Sequence, residues 1–131
     1  MEAESVIRPA AQLEIAGATL ARTLLISDIS LWEFGVAIHK KNLERRPNLG
    51  GLSIEAWFRS ATRRFGIRAT NISRSIALEA ANVPGNYGSG DPGDCFLIAT
   101  ARVRQLALVT RDARMIELAN RRPDYLTVVP C

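Results

Sequence analysis

Cysteine, histidine and long apolar runs are all scarce in this chain of 131 residues, and each scarcity excludes something. The two cysteines, Cys95 and Cys131, form no metal-ligand spacing and are too few for a disulfide framework, so a reducing, cytoplasmic setting is expected. The single histidine, His39, rules out an acid/base pair of two histidines and a zinc site needing several imidazoles. Beside Lys40 and Lys41 on a helix, it reads as a surface residue. No apolar run approaches the roughly 20 residues of a membrane-spanning helix, so no membrane partner is expected. The start, MEAESVIRPA, carries two glutamates and no apolar stretch, and no secretory signal is expected from it. There is no Gly-rich phosphate loop of the P-loop or dinucleotide type, no internal repeat and no low-complexity linker. The length suits one domain, residues 1–131, with a core of its own.

What is present is an ordinary globular composition, 47% hydrophobic and 23% charged, with a net charge of +4 and a pI near 9.7. The basic residues concentrate between 40 and 74, at Lys40, Lys41, Arg45, Arg46, Arg59, Arg63, Arg64, Arg68 and Arg74. Such a stretch can hold phosphates or simply form a solvated face. Strand-length apolar runs alternate with helical periods. Residues 9–21 read as a helix, TLLIS (23–27) as a strand, and SLWEFGVAIHKKNL (30–43) as a helix. RRPNLGG reads as a loop, and 53–65 as a helix capped by Ser53. GIRATNIS reads as a strand, and 73–83 as a helix stopped by Pro84 and Gly85, before the loop GNYGSG. A helix over 94–105, the strand LALVT, the helix RDARMIELANR and the strand YLTVV complete the chain. This alternation predicts an α/β fold with a largely parallel sheet.

The stretch GDPGDCFLIATARVRQLALVTRDAR places Asp94 at the start of a helix and Asp112 at the end of the following strand. A helix of about 12 residues spans roughly 18 Å, and a strand of about five residues returns over roughly 16 Å. The strand therefore brings Asp112 back beside Asp94, on the sheet edge where α/β proteins usually bind ligands. Glu33, in the first turn of the helix after TLLIS, is expected on the same edge. Three carboxylates with no histidine nearby suit a hard cation such as Mg²⁺ or Mn²⁺, which lowers the pKa of bound water and neutralises charge at phosphorus. Each acid also has a plain reading as a helix cap. Ser30 to Glu33 fits a capping box, Asp91-Pro92-Gly93-Asp94 an N-cap with proline at N1, and Asp112 a cap for ARMIELA. A receiver-like or other phosphate-binding α/β domain also uses edge carboxylates, but leaves SLWE and LVTRD unexplained.

SLWE, GDPGD-x-x-x-IATA and LVTRD together resemble PIN-domain proteins of the VapC type, ribonuclease toxins of bacterial toxin–antitoxin pairs. The resemblance runs from about residue 10 to the end. It implies a three-layer sandwich around a parallel sheet and an acidic pocket binding Mg²⁺ or Mn²⁺ for hydrolysis of RNA phosphodiesters. Glu33, Asp94 and Asp112 match the family's acids and would be both metal ligands and catalytic residues. Thr110 would at most support them, and Asp91 would be peripheral. A cognate antitoxin and a possible homodimer are the implied partners. The resemblance also implies a catalytically inactive relative, binding only antitoxin or RNA, as the alternative. Its ground is a departure: the family opens on a central strand ending in Asp-Thr or Asp-Ser, and nothing here matches that strand. Asp28 stands on the right edge to replace the aspartate, although a turn or capping role explains it too. Trp57 and Phe58 would serve either a dimer interface or the domain's own core, the commoner place for aromatics.

Overall fold

Residues 12, 13, 15–17, 24–39 and 49–131 are described by the computed structural model. Residues 12, 13 and 15–17 are helical. The rest of the helix expected over 9–21, Thr23, residues 40–43 and Arg45 to Asn48 lie outside the described residues. The elements then run β1 (Leu25–Ser27), α1 (Asp28–Ile38), α2 (Ile54–Phe65), β2 (Arg68–Thr70), α3 (Arg74–Tyr87), α4 (Pro92–Arg104), β3 (Leu108–Thr110), α5 (Ala113–Arg121) and β4 (Val128–Pro130). The fold is α/β with parallel strands, as the alternation of elements predicts. No helix among the described residues is long and apolar enough to cross a membrane.

Short polar side chains decide where the helices begin. Ser53 accepts from the Ala56 N–H at 3.1 Å, and Ser73 from the Ile76 N–H at 3.2 Å, each satisfying a donor that the first helical turn leaves open. At α1 the cap is Ser27, which accepts from the Ile29 N–H at 3.1 Å. This corrects the expected capping box at Ser30: the helix begins at Asp28, so Ser30 is already inside it and Glu33 lies in the second turn. A second correction concerns Pro84, which does not stop its helix. α3 continues to Tyr87 and closes at Gly88, whose positive φ of 78° ends the turn and whose N–H donates to the Pro84 carbonyl at 2.9 Å. Proline inside a helix costs about 3 kcal/mol. The extra turn offsets that cost by burying Tyr87 in line with Ile76, Ala80 and Val83.

The core lies where α3, α4 and α5 meet: Ile76, Val83, Ile98 and Leu118 are the largest fully buried side chains. Arg102 locks the far end, donating to Glu79 at 3.0 Å and to the Tyr125 carbonyl at 2.6 Å. Trp57 of α2 packs against Phe34 of α1 with ring centroids 5.1 Å apart, a contact within this domain.

The strands form two parallel pairs. β1 pairs with β2, Leu25 opposite Arg68, and β3 pairs with β4, Leu108 opposite Val128. Among the described residues no strand joins the two pairs. Between them lies a cavity of about 490 Å³, bordered by Leu25 and Ser27 of β1, Leu108 and Val109 of β3, and Leu97 and Thr100 of α4. In a parallel ladder, alternate residues turn their backbone groups to opposite sides. The Leu24 carbonyl accepts from Arg68, while Leu108 and Thr110 bond to the β4 side. The backbone groups of Leu25 and Val109 therefore turn toward the cavity.

Candidate acidic site

The end of β1 feeds α1, the end of β3 feeds α5, and the start of α4 meets both. Asp94 sits in the first turn of α4, a helix whose N-cap is Asp91 and whose N1 residue is Pro92. The plain capping reading thus holds for Asp91, which accepts from the Gly93 N–H at 3.1 Å. It also holds for Asp112, which accepts from Arg114 N–H at 2.8 Å and Met115 N–H at 3.4 Å. Asp112 is itself fixed by Thr110, whose hydroxyl accepts from the Asp112 N–H at 3.0 Å. Capping and pocket-lining are not exclusive, because a cap occupies one carboxylate oxygen and leaves the other.

Asp94 is the centre of this edge. Its side chain is only 13% exposed, and it accepts from the Tyr87 hydroxyl at 2.8 Å. Burial raises its pKa first of all. The Tyr87 hydrogen bond works against that rise, Asp91 and Asp112 add to it by repulsion, and Arg114 lowers it. Glu33 reaches the same place from α1. Its carboxyl lies against the backbone of Gly93, where a Cβ would stand 2.8 Å from Glu33 Cδ and collide with Oε1. Burial also raises the Glu33 pKa, with Asp94 and then Asp91 as the repelling neighbours. Asp28 is not among the groups acting on either acid. The Cys95 thiol is pushed up by burial and by the two aspartates beside it, which makes it a packed, unreactive group rather than a nucleophile.

Asp94 acts on Glu33, and Asp112 acts on Asp94. Among the described residues no group of three His, Cys, Asp or Glu side chains is close enough to hold a metal ion. The donors facing one another are nonetheless carboxylate oxygens throughout, the ligands that Mg²⁺ and Mn²⁺ prefer. Mg²⁺ commonly takes one or two carboxylates and keeps its waters. Asp94 with one neighbour fits such a hydrated ion and does not fit a three-carboxylate cage.

Tyr87 and Gly93 escaped sequence reasoning. Tyr87 was hidden by the reading of Pro84 as a stop, although the apolar spacing 76, 80, 83, 87 continues through it. Gly93 stood in the Asp91-Pro92-Gly93-Asp94 helix start with no role of its own, whereas its missing side chain is what lets Glu33 approach α4. Gly93→Ala should therefore be selective. Its methyl group meets the mobile end of Glu33, so stability should change by less than about 1 kcal/mol, while Glu33 is driven from Asp94. An unchanged response of the melting temperature to Mn²⁺ would contradict that role.

An α/β domain with parallel strands and carboxylates gathered where strands give way to helices belongs to the classes that handle cations and phosphates at a sheet edge. A model of the PIN domain matches residues 5–121, and the chain belongs to the PIN domain family, generally nuclease-like proteins that typically use divalent metal ions. No curated protein matches the chain.

Proposed function

We propose that this chain is a metal-dependent endoribonuclease, the toxin component of a bacterial toxin–antitoxin pair of the VapC type. The observation that carries the reading is the desolvated Asp94 carboxylate, held against Glu33, Asp91 and Asp112 with no histidine or reactive thiol nearby. Such crowding is unfavourable by itself and becomes favourable around a cation. Asp94 together with Asp112 or Glu33 would hold Mg²⁺ or Mn²⁺. The bound ion would supply an activated water and neutralise charge on a phosphoryl oxygen. Tyr87 fixes the orientation of Asp94, and Thr110 fixes that of Asp112. Arg59, Arg63 and Arg64 line a shallow groove of about 420 Å³ on α2 and suit contacts to a phosphate backbone. Trp32 and Val36, four residues apart on α1, are both about half exposed and offer an apolar stripe to an amphipathic antitoxin segment.

Mn²⁺ should raise the melting temperature of the wild-type chain by mass action, and Asp94→Asn combined with Asp112→Asn should abolish that rise. An equal response in the double variant would sink the assignment. The antitoxin should co-elute with the chain at low salt when the two are produced together, and separate elution would count against that partner. A binding-only protein is the second reading. It is favoured by the absence, among the described residues, of a three-carboxylate group. It predicts antitoxin or RNA binding with no cleavage at any Mg²⁺ or Mn²⁺ concentration.

A further inference from the structure

The acidic edge already contains a cation. Arg114 places Nη2 3.4 Å from Asp94 Oδ2 and Nε 4.0 Å from Asp112 Oδ1. Its guanidinium lies 5.6 Å from the centre of the Tyr87 ring, and the Tyr87 hydroxyl bonds the same Asp94 oxygen. Arg114 is the second residue of α5, the helix end where the backbone dipole opposes positive charge. Helix stability does not account for a cation there, but the two carboxylates it bridges do. Glu33, Asp91 and Asp112 face or flank Asp94 with like charge, and among the described residues Arg114 is the one positive group acting on it.

We infer that Arg114 is the resident counter-ion of this edge, that it occupies the position a divalent cation must take, and that the two exchange. The hold is loose. Charged N–H to carboxylate bonds usually measure about 2.7–2.9 Å, and 3.4 Å is well beyond that range. The Arg114 side chain is 59% exposed while that of Asp94 is 13% exposed, so the guanidinium can rotate outward without unpacking the core. Once displaced, it stands at the rim of the same carboxylates, where its planar fork suits a phosphodiester oxygen pair. The phosphate contact rests on the nuclease reading, whereas the counter-ion role does not.

Three measurements on the whole chain separate these claims. Without metal, Arg114→Gln should lower the melting temperature by a few degrees, and the same change in an Asp94→Asn background should lower it by much less. Equal losses in both backgrounds would overturn the counter-ion role. With Mn²⁺ titrated by the paramagnetic resonance of the free ion, Arg114→Gln should bind several-fold more tightly than wild type. Arg114→Lys, which keeps a positive charge, should stay close to wild type. Unchanged or weaker binding by the Gln variant would overturn the exchange, since a merely structural arginine would weaken the site when lost. Binding of a short RNA, with Ca²⁺ in place of Mg²⁺ to suppress cleavage, should weaken about tenfold in Arg114→Gln and recover only in part in Arg114→Lys, which keeps the charge but not the planar fork. An unaltered RNA affinity would overturn the phosphate contact. Absence of Mn²⁺ binding in every variant would overturn the exchange and the metal-dependent reading together, while the paired melting comparison still decides the counter-ion role.

Discussion

Asp94→Asn is expected to lower metal-supported RNA cleavage by about 100-fold or more, because charge stabilisation by a bound cation contributes several kcal/mol and each 1.36 kcal/mol is tenfold in rate. Asp94 interacts with both Glu33 and Asp112 and is the more deeply placed acid, so neither neighbour substitutes for it. The variant should still fold, since Asn can accept from the Tyr87 hydroxyl as Asp does. A second signature separates loss of the site from loss of structure. The pKa values of both Asp94 and Glu33 are raised in the folded chain, mainly by burial. The native state therefore holds protons that the unfolded chain has released, and stability falls as pH rises. In the metal-free protein this contribution is fully present below the ordinary carboxyl values, 3.8 for Asp94 and 4.5 for Glu33. It is lost as pH climbs through the raised folded values. Asp94→Asn should flatten that decline, as should saturating Mg²⁺, which favours the charged forms. Melting curves across this window check the sign. Cleavage by Asp94→Asn within threefold of wild type would remove Asp94 from the centre of the proposed mechanism.

Much of the fold was legible because its decisive signals are local. Ser53 announces α2 by the short side chain that caps it, and Asp91-Pro92 announces α4 in the same way. The pairing of a strand with the helix before it placed Asp112 near Asp94 from lengths alone, and Arg114 does lie against both. What was not legible depends on competition between local and distant terms. Proline as a helix breaker is a local rule, and it lost at Pro84 to the burial of Tyr87, which only the packed helices reveal. The box from Ser30 to Glu33 fits the spacing of a cap, but Ser27 stands nearer the end of β1 and takes the role. Glu33 reaches Gly93 from the second turn because a glycine on another helix gives it room, and no spacing rule within α1 could show that. Arg114 looked like one more arginine in a basic chain. Its meaning comes from the carboxylates of two other positions.

The cavity between the strand pairs has the largest consequence for stability. An extended apolar segment ending in Asp-Thr, joined to the amino end through a flexible linker, is expected to raise the melting temperature by about 10 °C or more. The cavity is bordered by strand on both sides, and β1 and β3 belong to pairs that are each parallel. Leu25 and Val109 turn their N–H and C=O groups toward it, and each hydrogen bond that a strand makes there contributes about 0.5–1.5 kcal/mol. One strand would meet both edges, adding hydrogen bonds on two sides while its apolar side chains cover Leu97 and the neighbouring face of α4. Its final aspartate would arrive beside Ser27 and Thr110, the strand ends from which the acidic edge is built, and give the cation another carboxylate. Two controls tie the gain to these causes. Proline at alternate positions removes the donors without removing apolar surface, and should cancel most of the rise in melting temperature. Asn in place of the terminal Asp should keep that rise but forfeit any gain in RNA cleavage. Equal stabilisation by the proline-bearing segment would mean that the cavity takes apolar surface of any kind and is not a place for a strand.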